Sequence, residues 1–279
     1  MSGRNLILTG IPRAGTTLAC RIVGSCPDTV ALAEPMSVAD LPSDDPGAAV
    51  AAVDAFFAAC RESALLRGKV PSRQRDGQVP DNFFVDTPRG RLWDAAIAEI
   101  EVPKPLSSAF TLAIKHNGLF LALLPALVRN HEVIGIVRNP LALLAGWQSI
   151  DLPVATGRLP MAERHDASLA RLLDETRTAL SRQVIILDWC FRRLRDHLPC
   201  KRVLRYEEII DSGGKTLISA AGLTGASEPL TRRAVDRRFR GADIRLLQHH
   251  LQAGPGAWRT FYSDAEVIAT ADRWGQAAS

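Results

Sequence analysis

The feature that most limits this chain is a turn. Gly10-Ile11-Pro12-Arg13-Ala14-Gly15-Thr16-Thr17 stands between the apolar run Asn5 to Thr9 and a helical pattern from Thr16 to Val23. A short unbroken apolar run suits a strand buried on both faces. The glycines allow a sharp turn, and backbone N–H groups opening the next helix can surround an anionic oxygen. Thr16 and Thr17 add hydroxyl donors. Arg13 places a planar guanidinium inside the loop, where it can grip a phosphate or sulfate through two parallel bonds.

The remaining pattern agrees with that start. Leu32 and Ala33 end a second strand, and Phe110–Lys115, Glu132–Arg138 and Val203–Tyr206 read as further strands. Leu119–Arg129, interrupted by Pro125, and Leu141–Ser149 read as helices between them. Such alternation predicts an α/β fold, a central parallel sheet flanked by helices. Ligands in these sheets bind beyond the carboxyl ends of the strands. Residues 37 to 82 break the alternation. They are marked by SDDPG, helical from Ala48 to Leu66, then polar from Lys69 to Asn82, and read as an insertion in one domain spanning 1–279.

Two stretches imitate nucleotide-hydrolase motifs and fail. Val184–Asp188 looks like a magnesium-holding strand, but Leu169, Leu172, Leu173, Thr176, Leu180, Val184, Leu187, Phe191 and Leu194 recur at helical spacing. Gly213-Gly214-Lys215-Thr216 lacks the earlier glycine, because Ile209 stands there, and reads as a helix start.

With 279 residues, 47% hydrophobic and 23% charged, the chain is neither disordered nor a multi-span membrane protein. Its longest strongly apolar stretch, Leu119–Val128, is short of the roughly 18 residues a span needs. The N-terminal apolar run is too short for a signal peptide. Five cysteines form no CxxC pair, and an odd count suits a reducing compartment, so the expected location is cytoplasmic. Net charge is only +4, but six arginines crowd 232–245, including Arg237, Arg238 and Arg240. That well of positive potential suits an anionic ligand. No helix-turn-helix, zinc-ligand or RNP-type pattern accompanies it, which argues against nucleic acid. Nothing in the sequence sets an oligomeric state.

The glycine spacing of the first turn is that of a P-loop, with Thr16 where the lysine of G-x-x-x-x-G-K-[ST] would stand. That lysine reaches the β- and γ-phosphates of a nucleoside triphosphate, and its absence argues against ATP or GTP hydrolysis. IPRAGTTL resembles the 5′-phosphosulfate loop, P-[KR]-x-G-[TS]-[TS], of the sulfotransferases that use 3′-phosphoadenosine 5′-phosphosulfate (PAPS). The resemblance implies a P-loop NTPase-like sulfotransferase fold. It also implies that Pro12, Arg13, Ala14, Gly15, Thr16 and Thr17 hold the 5′-phosphosulfate, with Arg13 near the bridging oxygen.

Glu132–Trp147 is similar to that family's 3′-phosphate motif, an apolar strand followed by R-[DN]-P. Arg138, Asn139 and Pro140 match, and Gly146 stands where the family usually has a serine. Val203–Glu208 resembles the late strand ending in Tyr-Glu, whose tyrosine, here Tyr206, lies near the adenine. Gly256–Phe261 resembles Gly-x-Trp-[KR]-x-x-Phe, but Leu251-Gln252-Ala253 replace the basic-glycine triplet before it. The resemblance runs from about residue 5 to 262.

Sulfuryl transfer needs a base for the acceptor's proton and a cation to balance the departing phosphate. Arg13 is the candidate cation. Lys115 and His116 stand at the end of the strand FTLAIK, where many cytosolic sulfotransferases of the family it resembles have Lys-Thr-His with histidine as base. Consecutive strand residues point to opposite faces, so one of the two faces the site unless the strand has already ended. Glu34, after the second strand, is the rival base, as in several bacterial sulfotransferases that this sequence resembles. It requires a desolvated setting to raise its pKa. No metal site is expected among the remaining histidines.

These readings imply transfer from PAPS to a hydroxyl or amine of a small-molecule, carbohydrate or lipid acceptor. The insertion and Asp151–His165 are expected to line the acceptor pocket. A P-loop small-molecule kinase and a nucleotide-binding protein without turnover remain as alternatives.

Overall fold

A computed structural model describes residues 3–37, 39, 41–87, 90–231 and 244–278. The chain opens with β1 (Arg4–Gly10), α1 (Thr16–Ser25) and β2 (Thr29–Ala33), and continues into α2 (Pro46–Arg67). Four short strands follow: β3 (Lys69–Gln74), β4 (Phe84–Thr87), β5 (Gly90–Trp93) and β6 (Ala96–Glu101). Then come β7 (Thr111–Lys115), α3 (Gly118–Ala122), α4 (Leu124–Leu127), β8 (Glu132–Val137) and α5 (Pro140–Gln148). The last part holds α6 (Pro160–Glu163), α7 (Ala167–Glu175), α8 (Ala179–His197), β9 (Val203–Arg205), α9 (Tyr206–Asp211), α10 (Lys215–Ala220), α11 (Ile244–Ala253) and α12 (Asp264–Ala278).

The five main strands form one sheet in the order β2-β7-β1-β8-β9, parallel throughout. This is the α/β architecture expected. Leu6, Ile7 and Leu8 are all fully buried, so side chains on both faces of β1 are covered. That is why its run is apolar without alternation. The order reverses at β1, whose chain leaves toward β2 while β8 and β9 lie on its other side. Ligand crevices form at such a point.

The local signals act as their chemistry requires. Pro125 divides the helix at its position into α3 and α4. Val184–Asp188 lies within α8, where Asp188 accepts from the Ala257 N–H (2.9 Å) and pairs with Arg192 (2.7 Å). The apolar stripe from Leu169 is not one helix. It breaks before Thr178, whose hydroxyl caps α8, and Leu172 is exposed.

The sequence pattern showed no strand between 69 and 101, yet β3–β6 lie there. β3 pairs with β6 and β4 with β5, both antiparallel. The Ala33 N–H donates to Ser72 Oγ at 3.0 Å, which ties β3 to the main sheet. Among the described residues, no helix is long and apolar enough to cross a membrane. The six-arginine cluster, including Arg237, Arg238 and Arg240, lies outside the described residues except for Arg245.

Candidate active site

Because the five strands run parallel, their carboxyl ends share one edge, and each delivers a candidate there. β1 leads into Pro12–Thr17, β2 into Glu34, β7 ends at Lys115, β8 leads into Arg138 and β9 into Tyr206. These residues, Ala14 excepted, line one cavity of about 760 Å³, and Gly146 lines it too. Ala14 is fully buried beneath the loop.

The loop needs its second glycine for two reasons. Gly15 has φ +90°, and a Cβ there would stand 2.4 Å from the Tyr206 ring. Four non-glycine residues have left-handed backbones among those described, and Arg13 (φ 73°) and Glu34 (φ 46°) are two of them. Such conformations cost about 1–3 kcal/mol and cluster where function fixes the backbone. Arg138 Nη1 donates to the Arg13 carbonyl at 3.3 Å, and the Arg138 guanidinium lies 4.4 Å from the centre of the Tyr206 ring. The loop is therefore packed between Tyr206 and Arg138. Trp147 secures it further, its indole N–H donating to the Pro12 carbonyl at 2.8 Å.

Asn139 caps α5 by accepting from the Leu141 and Ala142 N–H groups. Glu207 accepts from the Asn139 N–H (3.1 Å) and from the Tyr262 hydroxyl (2.7 Å). This network holds the turn that carries Arg138. Among the described residues, a Cβ at Gly146 would meet only the Arg13 Cβ, at 3.9 Å, so space for a side-chain carbon exists. Ser149 does not replace that hydroxyl, since it donates back to the Gly146 carbonyl (2.9 Å).

Glu34 and Lys115 form the site's ion pair. Lys115 Nζ stands 2.5 Å from Glu34 Oε1, and Arg73 Nε is 3.7 Å from Glu34 Oε2. Lys115 is 1% exposed, while Glu34 keeps 13% of its side chain open. Burial pushes the Glu34 carboxyl up, but Lys115, His116 and Arg73 together outweigh it and hold the group below the usual carboxylate range. His116, the other candidate base, does not line the cavity. It is 1% exposed, its ring lies edge-on to Phe120, and burial lowers its pKa to about 4. Among the described residues, neither ring nitrogen completes a hydrogen bond, although the Met36 backbone favours the charged form. Strand alternation thus gives the cavity Lys115 and the interior His116.

The hairpin β4–β5 and the two residues before it bring to the cavity side chains that the sequence reading did not single out. Asn82 Oδ1 accepts from Arg13 Nη1 at 3.1 Å, and the Arg13 guanidinium lies 4.7 Å from the Phe84 ring centre. Phe83 and Phe84 both pack against Trp93. The available signal was a pair of aromatics and a lone tryptophan flanking Thr87-Pro88-Arg89-Gly90, a turn composition. Arg73, Asp81 and Asn82 from the 37–82 segment line the cavity, as do Leu152–Val154 and Arg158–Met161 from the 151–165 stretch. Gly256–Phe261 does not; Trp258 is fully buried, and its segment packs on α8. Among the described residues, no three His, Cys, Asp or Glu side chains cluster as a metal would require.

No protein-family model matches the chain, and no curated protein sequence matches it. Solved structures are similar to it, among them two sulfotransferases. One is a sulfotransferase from Alicyclobacillus acidocaldarius, 14% identical with a TM-score of 0.38, covering 93% of this chain and 100% of that one. The other is a sulfotransferase from Mycobacterium tuberculosis H37Rv, 12% identical with a TM-score of 0.36, covering 100% of this chain and 77% of that one.

Proposed function

We propose that this chain is a sulfotransferase that moves a sulfuryl group from PAPS to a hydroxyl or amine of a small-molecule, carbohydrate or lipid acceptor. One observation carries the reading: the Arg13 loop and Arg138 touch each other and open onto a single cavity. Two anion-binding groups at opposite sides of one turn suit a ligand with phosphate at both ends.

The residues present suit that co-substrate. The first N–H groups of a helix have no partner within it, and α1 has no side-chain cap. Among the described residues, Arg138 contacts a carbonyl and an aromatic ring but pairs with no carboxylate. Pro12–Thr17 would hold the 5′ end, Arg138 the 3′-phosphate, and Tyr206 the adenine side. Bound there, PAPS would supply the sulfuryl group and a 5′-phosphate leaving group.

Arg13 would balance the charge that grows on the leaving oxygen. Glu34 would take the acceptor's proton, and it is preferred to His116 because it opens onto the cavity. Lys115 would keep Glu34 ionised and oriented. The location we propose is cytoplasmic, which suits the free thiols Cys20, Cys26, Cys60, Cys190 and Cys200.

Calorimetry tests the reading. We expect 3′-phosphoadenosine 5′-phosphate to bind without metal and more tightly than ATP with magnesium. The opposite preference would point to a kinase and overturn the proposal. Tight bisphosphate binding with no transfer to any acceptor in a broad panel would instead favour a binding protein.

A further inference from the structure

Resting on the sulfotransferase reading, we propose that the acceptor is an aryl alcohol, with its ring between Trp93 and Met161 and its hydroxyl at Glu34. Exposed large apolar side chains on a soluble protein draw attention when they share a concave surface. Trp93 is 39% exposed and Met161 37%, and both line the cavity, one from β5 and the other from α6. Phe83 and Phe84 extend the aromatic wall behind Trp93. Leu152 and Val154 add aliphatic surface.

Three arginines that line this chamber are already engaged with carboxylates. Arg91 pairs with Asp86 (3.1 Å), and Arg158 with Asp174 (2.6 Å) and Glu163 (2.5 Å). Arg73 faces Glu34 and lies 5.0 Å from the Trp93 ring centre. A sugar needs many hydrogen-bond partners, and arginines held in these pairs offer few, so much of the water it lost would go unreplaced. A flat apolar body loses nothing and covers the two exposed side chains.

The base points the same way. Lys115 and Arg73 hold Glu34 ionised at neutral pH, which leaves it ready to accept a proton but weakly basic. A weak base works best on an acidic hydroxyl. Aryl hydroxyls titrate near 10, as tyrosine does, against roughly 16 for water-like alcohols.

Titration with 2-naphthol, with and without 3′-phosphoadenosine 5′-phosphate, tests the proposal. We expect Trp93→Ala and Met161→Ala each to weaken 2-naphthol binding at least tenfold while bisphosphate affinity stays within twofold. Trp93→Phe should retain most of the binding. With PAPS supplied, 2-naphthol should be sulfated at least a hundredfold faster than decahydro-2-naphthol, which has a similar body but an aliphatic hydroxyl. Undiminished 2-naphthol binding in both alanine variants would overturn the inference. So would tighter binding of methyl β-glucoside than of 2-naphthol, or equal rates for the two naphthols. Loss of bisphosphate binding in the unmodified protein would instead sink the sulfotransferase reading, while Trp93-dependent 2-naphthol binding would still establish an aryl site.

Discussion

Glu34 and Lys115 are joined twice: the Glu34 N–H donates to the Lys115 carbonyl at 2.8 Å, and Lys115 Nζ meets Glu34 Oε1 at 2.5 Å. The backbone bond continues the register of β2 with β7, where Ala33 and Lys115 are partners. The side-chain pair is therefore built by the sheet itself, at its ligand edge.

Removing one member of a buried pair leaves a costly charge, about 3–5 kcal/mol in comparable sites. Glu34→Gln, which keeps a hydrogen-bond acceptor for Lys115, is the variant to make. We expect turnover to fall by about 10²–10⁴, the usual worth of a positioned base, with bisphosphate affinity unchanged. The pH profile gives a second readout. Activity should require ionised Glu34, so its acid limb should lie below the ordinary value of 4.5. Lys115→Met removes the largest opposing charge and leaves burial in control, so the limb should move to higher pH. A limb that stays in place in Lys115→Met would show that Glu34 is not the titrating group.

Arg13 and Arg138 are expected to fail differently. Arg138 contacts only a carbonyl and a ring among the described groups, so Arg138→Ala should cost donor binding about 1.5–3 kcal/mol, the worth of a charged hydrogen bond. That is roughly a 10- to 150-fold loss of bisphosphate affinity, with turnover at saturating donor nearly kept. Arg13, set in a left-handed backbone and stacked on Phe84, should affect the rate most. Arg13→Ala should lower turnover at saturating donor by at least a hundredfold. Equal effects of the two variants on affinity and rate would contradict this division.

What could be read in advance was set by local physics. The runs NLILTG, FTLAIK and EVIGIVR announce buried parallel strands because no charged residue interrupts them, and their ends place Arg13, Lys115 and Arg138 on one edge. The face taken by His116 was not legible, because it depends on where β7 stops. The hairpin was hidden for another reason. Its strands have four residues each, and they place Asp86 opposite Arg91. So short a pattern, with charges inside it, carries almost no periodic signal. Asn82 and Trp93 reach the cavity only through tertiary folding, which a local reading does not register.

Gly146→Ser offers a gain rather than a loss. Among the described residues, the added Cβ has only the Arg13 Cβ within reach, at 3.9 Å, an ordinary contact. Serine also suits a helix interior better than glycine, by a few tenths of a kcal/mol. With a hydroxyl beside the Arg13 loop, we expect bisphosphate binding to tighten by about 0.5–1.5 kcal/mol, or 2- to 12-fold, and thermal stability to hold. Calorimetry reads this directly. Unchanged or weaker binding would mean that residue 146 does not face the 3′-phosphate.

His116 should act on stability more than on chemistry. Its pKa falls to about 4 in the folded protein because burial disfavours the imidazolium, while the unfolded chain keeps a value near 6.5. Above pH 6.5 the ring is neutral in both states, and its contribution to stability is constant. As pH falls from 6.5 toward 4, the unfolded chain takes up a proton that the folded protein refuses, so stability is lost. Below 4 both states are charged and the loss levels off, at a total on the order of 3 kcal/mol. His165 and His197 are shifted in the same direction, so the quantity to compare is the change between proteins. Urea unfolding at pH 7 and pH 5 should show a smaller drop in stability for His116→Asn than for the unmodified chain. Turnover of the same variant should stay within about tenfold, since the ring is buried and does not line the cavity. If turnover instead collapses while the stability drop matches the unmodified protein, His116 is the base and Glu34 its support.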